Sequence, residues 1–136
     1  MQPCFMDTNI LLRYFTRDDE EKAQRVLQLL LRVERGEEKA ITSSLVIFET
    51  VFTLQKFYKV SRMHIKDLIL PLIALKGLQL PDKHIYQRAF DLYISKNISF
   101  ADAYNAAYMI AKGVSHVYSW DRDFDKIDGI IRQEPE

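Results

Sequence analysis

Four acidic residues fall beside predicted strand ends or inside apolar helical segments, where a carboxylate needs an explanation. They are Asp7 in PCFMD, Glu49 in LVIFETVF, Asp102 in SFADAYNAAYMI and Asp121 in SWDRDF. Buried carboxylates are costly, and several together repel one another unless protons or a cation neutralise them. Oxygen-only clusters suit hard divalent cations such as Mg²⁺ and Mn²⁺, which can activate water and stabilise charge on a phosphodiester. The four acids therefore indicate metal-assisted phosphodiester cleavage, provided that the fold brings them together.

Each acid also has a purely structural explanation. Asp7 could cap the helix that follows it, Glu49 could lie on the exposed face of its helix, and Asp121 could be a turn residue. Asp102 follows Ser99 by three residues, which is the spacing of a helix capping box, and an acid there favours the positive end of a helix. Asp102 can cap its helix and still be a metal ligand, because the small alanines beside it let that helix approach a sheet closely.

The sequence lacks the motifs of competing catalytic sites. His64, His84 and His116 are far apart and do not have the spacing of zinc ligands. No GxxxxGK or GxGxxG loop is present to cradle phosphate, and no GxSxG motif is present to supply a nucleophile. Cys4 lies in a predicted strand, and we expect it to be a core residue rather than a nucleophile.

Composition favours one soluble domain covering residues 1–136, with 48% hydrophobic and 28% charged residues. A single cysteine precludes an internal disulfide. Neither a signal-peptide pattern nor a membrane-spanning apolar run is visible in the sequence. We therefore expect a cytoplasmic protein without a membrane partner. The formal net charge is zero, so nucleic acid would have to bind through local patches or bound cations. One basic cluster could steer an RNA backbone or simply form a solvated rim: Lys56, Lys59, Arg62 and Lys66.

Strands and pairs of helices alternate in the hydrophobic pattern. The predicted strands cover residues 3–7, 39–43, 78–81, 116–120 and 129–133, and the predicted helices cover 8–16, 18–36, 44–59, 62–76, 82–96 and 99–113. We expect Asp18 with Glu21 to cap the second helix and Pro71 to kink or break the fourth. This order predicts a three-layer α/β/α fold with a mostly parallel sheet of four to five strands. Ligands bind beyond the carboxyl ends of such strands, which is where Asp7 and Asp121 fall.

The motifs MDTN, FET, FADAYNAA and SWDRDF, in this order and spacing, resemble the PIN-domain family and, within it, the VapC-like toxin ribonucleases of bacteria and archaea. The resemblance covers residues 3–134. It implies an acidic pocket formed by Asp7, Glu49, Asp102 and Asp121. In that pocket Asp7, Asp102 and Asp121 would contact Mg²⁺ or Mn²⁺ most directly, and Glu49 would act partly through water. The implied supporting residues are Thr8, Asn9 and Ser119, while Asp123 would either assist or only cap the turn before Phe124.

The resemblance further implies a metal-dependent endoribonuclease that cleaves single-stranded RNA and is the toxin partner of a small antitoxin protein. It also implies a homodimer, which agrees with the aromatic and aliphatic excess in residues 44–76. Two other roles stay open: a free-standing RNA-processing nuclease, or a catalytically silent PIN-like binding module. Two other classes do not match the sequence. Haloacid-dehalogenase-like phosphotransferases need a second Asp two residues after the first, where this chain has Asn9. A receiver domain needs an early acidic pair, which this sequence lacks.

Overall fold

Short strands alternate with longer helices along the chain, as the hydrophobic pattern predicts. The structure, a computed structural model, describes residues 2–136. The strands are β1 (Cys4–Phe5), β2 (Ala40–Ile41), β3 (Leu78–Gln79), β4 (His116–Tyr118) and β5 (Ile131–Gln133). The helices are α1 (Thr8–Thr16), α2 (Glu20–Glu34), α3 (Ser44–Lys56), α4 (Arg62–Ile73), α5 (Tyr86–Ser95) and α6 (Phe100–Lys112), with 3₁₀ turns at Lys83–Ile85 and Arg122–Lys126.

The chain divides into a first unit that ends at Lys83 and a second unit that begins at His84. In the first unit, β1, β2 and β3 form a parallel sheet in that order. The hydroxyl of Thr42 donates a 2.8 Å hydrogen bond to the carbonyl oxygen of Met6, which fixes the chain just before Asp7. In the second unit, β4 and β5 pair in parallel, with His116 opposite Ile131 and Tyr118 opposite Gln133.

Each unit has its own set of buried side chains. In the first unit, Leu11, Val33 and Ile47 from three successive helices are fully buried. In the second unit, α5 packs against α6 through an aromatic cluster in which the ring centroids of Phe90 and Phe100 are 4.6 Å apart. Because Phe100 is the first residue of α6, this cluster fixes the start of the helix that carries Asp102.

Most helices begin where the sequence places a capping side chain. Ser61 accepts a hydrogen bond from the main-chain N–H of His64, and Ser99 accepts one from that of Asp102. The prediction for α2 was wrong by one residue, because Asp19 rather than Asp18 accepts the capping bond. Asp18 instead accepts a 2.7 Å hydrogen bond from the hydroxyl of Tyr58, so its carboxylate is engaged elsewhere.

The α/β fold predicted from the sequence is confirmed, with five strands and parallel pairing throughout the described residues. Each strand is shorter than predicted. Cys4 is exposed, so its assignment to the core was wrong: β1 is one of the two outer strands of the three-stranded sheet, and both of its residues are exposed. Pro71 lies within α4, which continues to Ile73 and ends short of Lys76. No helix within residues 2–136 has the length and apolar character needed to cross a membrane.

Candidate metal centre

The segment after β4 positions two carboxylates through its own hydrogen bonds. The side-chain oxygen of Ser119 accepts a 2.9 Å hydrogen bond from the main-chain N–H of Asp121. Asp121 then caps the 3₁₀ turn, because its Oδ1 atom accepts a 2.9 Å hydrogen bond from the main-chain N–H of Asp123. The turn therefore holds the Asp121 and Asp123 side chains close together, and the Ser119 side chain helps to orient its start.

Asp102 comes to the same place from the first turn of α6. The main-chain N–H of Asp102 donates a 3.1 Å hydrogen bond to the Ser99 side chain, which is one half of the predicted capping box. Behind Asp102, the alanines at 103, 106 and 107 are buried, so the small side chains predicted to allow close packing do lie inside the protein. The helix start thus fixes Asp102 against the turn that follows β4.

Asp102, Asp121 and Asp123 form a group in which one carboxylate oxygen from each residue lies within 4.8 Å of the other two. Asp121 is exposed, while Asp102 and Asp123 are half-buried. Three carboxylates on rigid supports fit the preference of Mg²⁺ and Mn²⁺ for oxygen ligands. Mg²⁺ retains several water ligands in proteins, and the exposed side of Asp121 leaves room for them. The residues present therefore fit a hydrated divalent cation.

The surroundings of Asp102 favour its protonated form. Partial burial raises the pKa of Asp102, because it disfavours the charged carboxylate, and the hydrogen bond with Asp121 and the charge of Asp121 raise it further. The hydrogen bond with Ser99 opposes this shift by lowering the pKa of Asp102. A bound divalent cation would relieve the repulsion among the three acids and favour the deprotonated form.

A lysine that the motif analysis did not single out neutralises part of this group. The Nζ atom of Lys126 lies 3.0 Å from the Oδ1 atom of Asp123, and both side chains are substantially exposed. The two residues are three positions apart in DRDFDK, so an ion pair within a helical turn could have been predicted from their spacing. Lys126 therefore holds a positive charge beside the candidate ligands.

Arg132 on β5 is a second residue that sequence reasoning missed. Its guanidinium donates a 3.0 Å hydrogen bond to the carbonyl oxygen of Ser119 and also pairs with Asp125 and Glu134. The Arg132 side chain is only 11% exposed. It therefore joins β5 to the segment that carries Asp121, although Arg132 itself lies outside the motifs.

The other predicted site residues lie in the first unit. Asp7 is exposed at the start of α1, and its side chain makes no capping hydrogen bond, so helix capping does not occupy its carboxylate. Thr8 is buried beside it, and Asn9 is exposed. Glu49 is exposed on α3, on the same face as Leu45 and Phe52. The group of three acids does not include Asp7 or Glu49, and the four-acid pocket stays a prediction.

Comparisons with known proteins point to the same family as the motifs in the sequence. The sequence profile of the PIN domain matches residues 4–130. The chain is also 25% identical over 122 residues to a protein named VapC ribonuclease from Aquifex aeolicus (strain VF5), and the match covers 90% of each chain. The predicted resemblance to VapC-like members of the family is thereby confirmed. Because the profile match spans nearly the whole chain, this protein belongs to the PIN domain family.

Proposed function

We propose that this protein is a metal-dependent endoribonuclease that cleaves single-stranded RNA in the cytoplasm. The observation that carries the proposal is the group formed by Asp102, Asp121 and Asp123. One carboxylate oxygen from each residue lies within 4.8 Å of the other two. The similarity to a protein named VapC ribonuclease supports RNA as the substrate. All four acids of the family motifs are present, which favours an active enzyme over a silent binding module.

Each acid has a role in this proposal. Asp102 and Asp121 bind Mg²⁺ or Mn²⁺ directly, Asp123 assists them, Asp7 is the further direct ligand implied by MDTN, and Glu49 acts partly through water. A divalent cation bound there would supply activation of water and stabilisation of charge on the phosphodiester. Thr8, Asn9 and Ser119 support the pocket; of these, Ser119 makes a hydrogen bond that orients a ligand residue.

The proposal is tested with purified protein and a fluorescently labelled single-stranded RNA. Cleavage should appear with Mg²⁺ or Mn²⁺ and stop when a chelator is added. An internal cut, rather than stepwise loss from one end, identifies an endonuclease. A full rate of cleavage in chelator, with no metal in the preparation, would contradict the metal-dependent mechanism.

We also propose that the protein is a homodimer that uses the exposed apolar side chains of α3 and the start of α4. Leu45, Phe52, Phe57 and Met63 are each more than half exposed. Apolar side chains of this size are enriched where subunits meet. Light scattering should give twice the 16.0 kDa mass of the chain. Phe52→Glu should give the monomer, whereas Tyr108→Glu, which changes an exposed aromatic residue on α6, should remain dimeric.

The biological role that we propose is the toxin of a toxin–antitoxin pair. Without a metal, the clustered carboxylates repel one another, and an arginine from a small antitoxin protein would offer several donors suited to carboxylates. Such a side chain would neutralise the acids and exclude the metal at once. Expression of this chain alone should arrest growth of its host, and Asp7→Asn should abolish the arrest. A harmless chain that cleaves RNA in vitro would instead favour a free-standing RNA-processing nuclease.

A further inference from the structure

A groove lies between α1 and α2 of the first unit. It encloses a cavity of about 690 Å³. Its charged lining residues are Arg13 on α1 and Lys22, Arg25 and Arg32 on α2, and the apolar side chains of Val26 and Leu29 lie between them. The spacing of these α2 residues places them along one side of the helix.

The lining of the groove is positively charged, and none of its described residues is acidic. Arg32 is paired with Glu38 at 2.7 Å, so its charge is largely neutralised. Within residues 2–136, no ion pair involves the side chains of Arg13, Lys22 or Arg25. A groove that presents three cations without an ion-pair partner, and no acid among its described lining residues, is complementary to an anionic occupant.

The arrangement of these cations suits a chain of anions better than a single small anion. Lys22 and Arg25 follow each other along α2 with a rise of about 4.5 Å. Arg13 approaches from the other helix, so the cations occupy both sides of the groove. Repeated negative charges along one polymer could contact all three.

One end of the groove adjoins a predicted site residue. Asn9 lines the groove and lies in the first turn of α1, two residues after Asp7. Asp7 is exposed, and its carboxylate is not used in capping the helix. A polyanion in the groove would therefore extend along α1 toward the position of Asp7.

The uncharged residues that line the groove indicate which part of the occupant the groove contacts. Its apolar side chains are aliphatic, and in the part of the chain that the structure describes no aromatic ring lines the groove to stack against a base. We propose that this groove binds the phosphate backbone of single-stranded RNA through Arg13, Lys22 and Arg25 and positions the substrate largely without regard to base sequence. This inference rests on the proposed ribonuclease function and adds to it the surface that positions the RNA.

The experiment measures binding separately from cleavage. The probe is a labelled single-stranded oligouridine, and fluorescence anisotropy in chelator gives its Kd over a series of KCl concentrations. Each phosphate contact to a single strand contributes about 0.7 to the slope of log affinity against log salt concentration. The triple variant Arg13→Gln/Lys22→Gln/Arg25→Gln removes three such contacts and should lower the magnitude of the slope by about 2. The matched control Arg35→Gln/Lys39→Gln/Arg88→Gln removes the same charge from exposed positions outside the groove and should keep the wild-type slope.

The outcomes separate this inference from the proposed function. If the wild type cleaves RNA and the triple variant keeps its salt slope while remaining folded by circular dichroism, the groove inference is wrong and the ribonuclease proposal stands. If the wild type neither binds nor cleaves RNA, both are wrong.

A synthetic peptide of alternating Glu and Leu provides a further comparison. If the triple variant loses the peptide and keeps RNA, the groove binds protein and the inference is overturned.

Discussion

The main-chain N–H of Asp123 donates a 2.9 Å hydrogen bond to the Oδ1 atom of Asp121. This bond closes the turn after β4. Since the Asp121 N–H is itself bound to the side chain of Ser119, the local backbone orients both carboxylates without requiring an ion. Groups that are held in place before binding lose less conformational entropy when a ligand binds. The turn therefore holds both carboxylates in place before a ligand binds.

Asp121→Asn should remove a direct anionic ligand while keeping the size of the side chain. If the carboxylate contributes several kcal/mol to the transition state, the rate of RNA cleavage should fall by about 100-fold or more. Single-turnover cleavage at saturating Mg²⁺ measures this loss. Asp128→Asn, an exposed acid in the same loop and outside the group of three, is the matched control. Equal rates for the two variants would remove Asp121 from the proposed site.

Lys126→Gln should strengthen binding of Mn²⁺. Lys126 pairs with Asp123 at 3.0 Å, and a metal that uses Asp123 must compete with this ammonium group. Because exposed ion pairs contribute about 0–1 kcal/mol, the gain in affinity should be no more than about fivefold. Isothermal titration with Mn²⁺ measures it. Weaker binding by Lys126→Gln would show that the lysine supports the site instead of competing for Asp123.

Arg132→Gln should impair catalysis through the position of Asp121. The arginine holds the Ser119 carbonyl, and changes to residues that orient metal ligands cost about 10- to 100-fold in affinity or activity. Titration of Mn²⁺ should show the loss in affinity, and Arg132→Lys should restore part of it. Arg88→Gln on α5 controls for the loss of one exposed positive charge. Unchanged affinity in a folded Arg132→Gln protein would rule out this positioning role.

Asp102→Asn should stabilise the metal-free protein at neutral pH. Burial and the neighbouring Asp121 raise the pKa of Asp102 in the folded state above its ordinary value, so the folded protein binds this proton more tightly than the unfolded chain does. The stability associated with Asp102 is thus fully present below the unfolded-state pKa, at about 3.9, and is lost as the pH rises through the folded-state pKa. Urea unfolding in chelator should give a higher free energy of unfolding for the variant at pH 7 and a smaller difference near pH 4. A variant that is less stable at pH 7 would contradict this account.

Local sequence signals predicted the helices well and the strands less well. Ser61 and Ser99 mark helix starts because a side-chain oxygen can satisfy a free N–H group within three residues. In the strands, two or three residues are too few for a periodic pattern, and hydrogen bonds to distant residues define their ends. The exposure of Cys4 depends on how other elements pack around β1, which no local pattern encodes.

The candidate site was predictable to the extent that its contacts are local. The positions of Asp102 and Asp121 follow from a helix cap and a strand end, both visible in FADAYNAA and SWDRDF. Arg132 was not predictable, because it reaches the Ser119 carbonyl across a strand pair, thirteen residues away in the chain. Asp7 and Glu49 are assigned to the pocket by their motifs alone.

Diffraction from crystals soaked in Mn²⁺ tests the central claim most directly, because anomalous scattering locates the ion without reference to activity. The account predicts an anomalous peak about 2 Å from carboxylate oxygens of Asp102 and Asp121, with Asp123 close by. The peak should disappear in Asp121→Asn crystals and persist in Asp128→Asn crystals. Ordered density for these three side chains with no Mn²⁺ peak among them, at a concentration that supports RNA cleavage, would contradict the proposed metal centre.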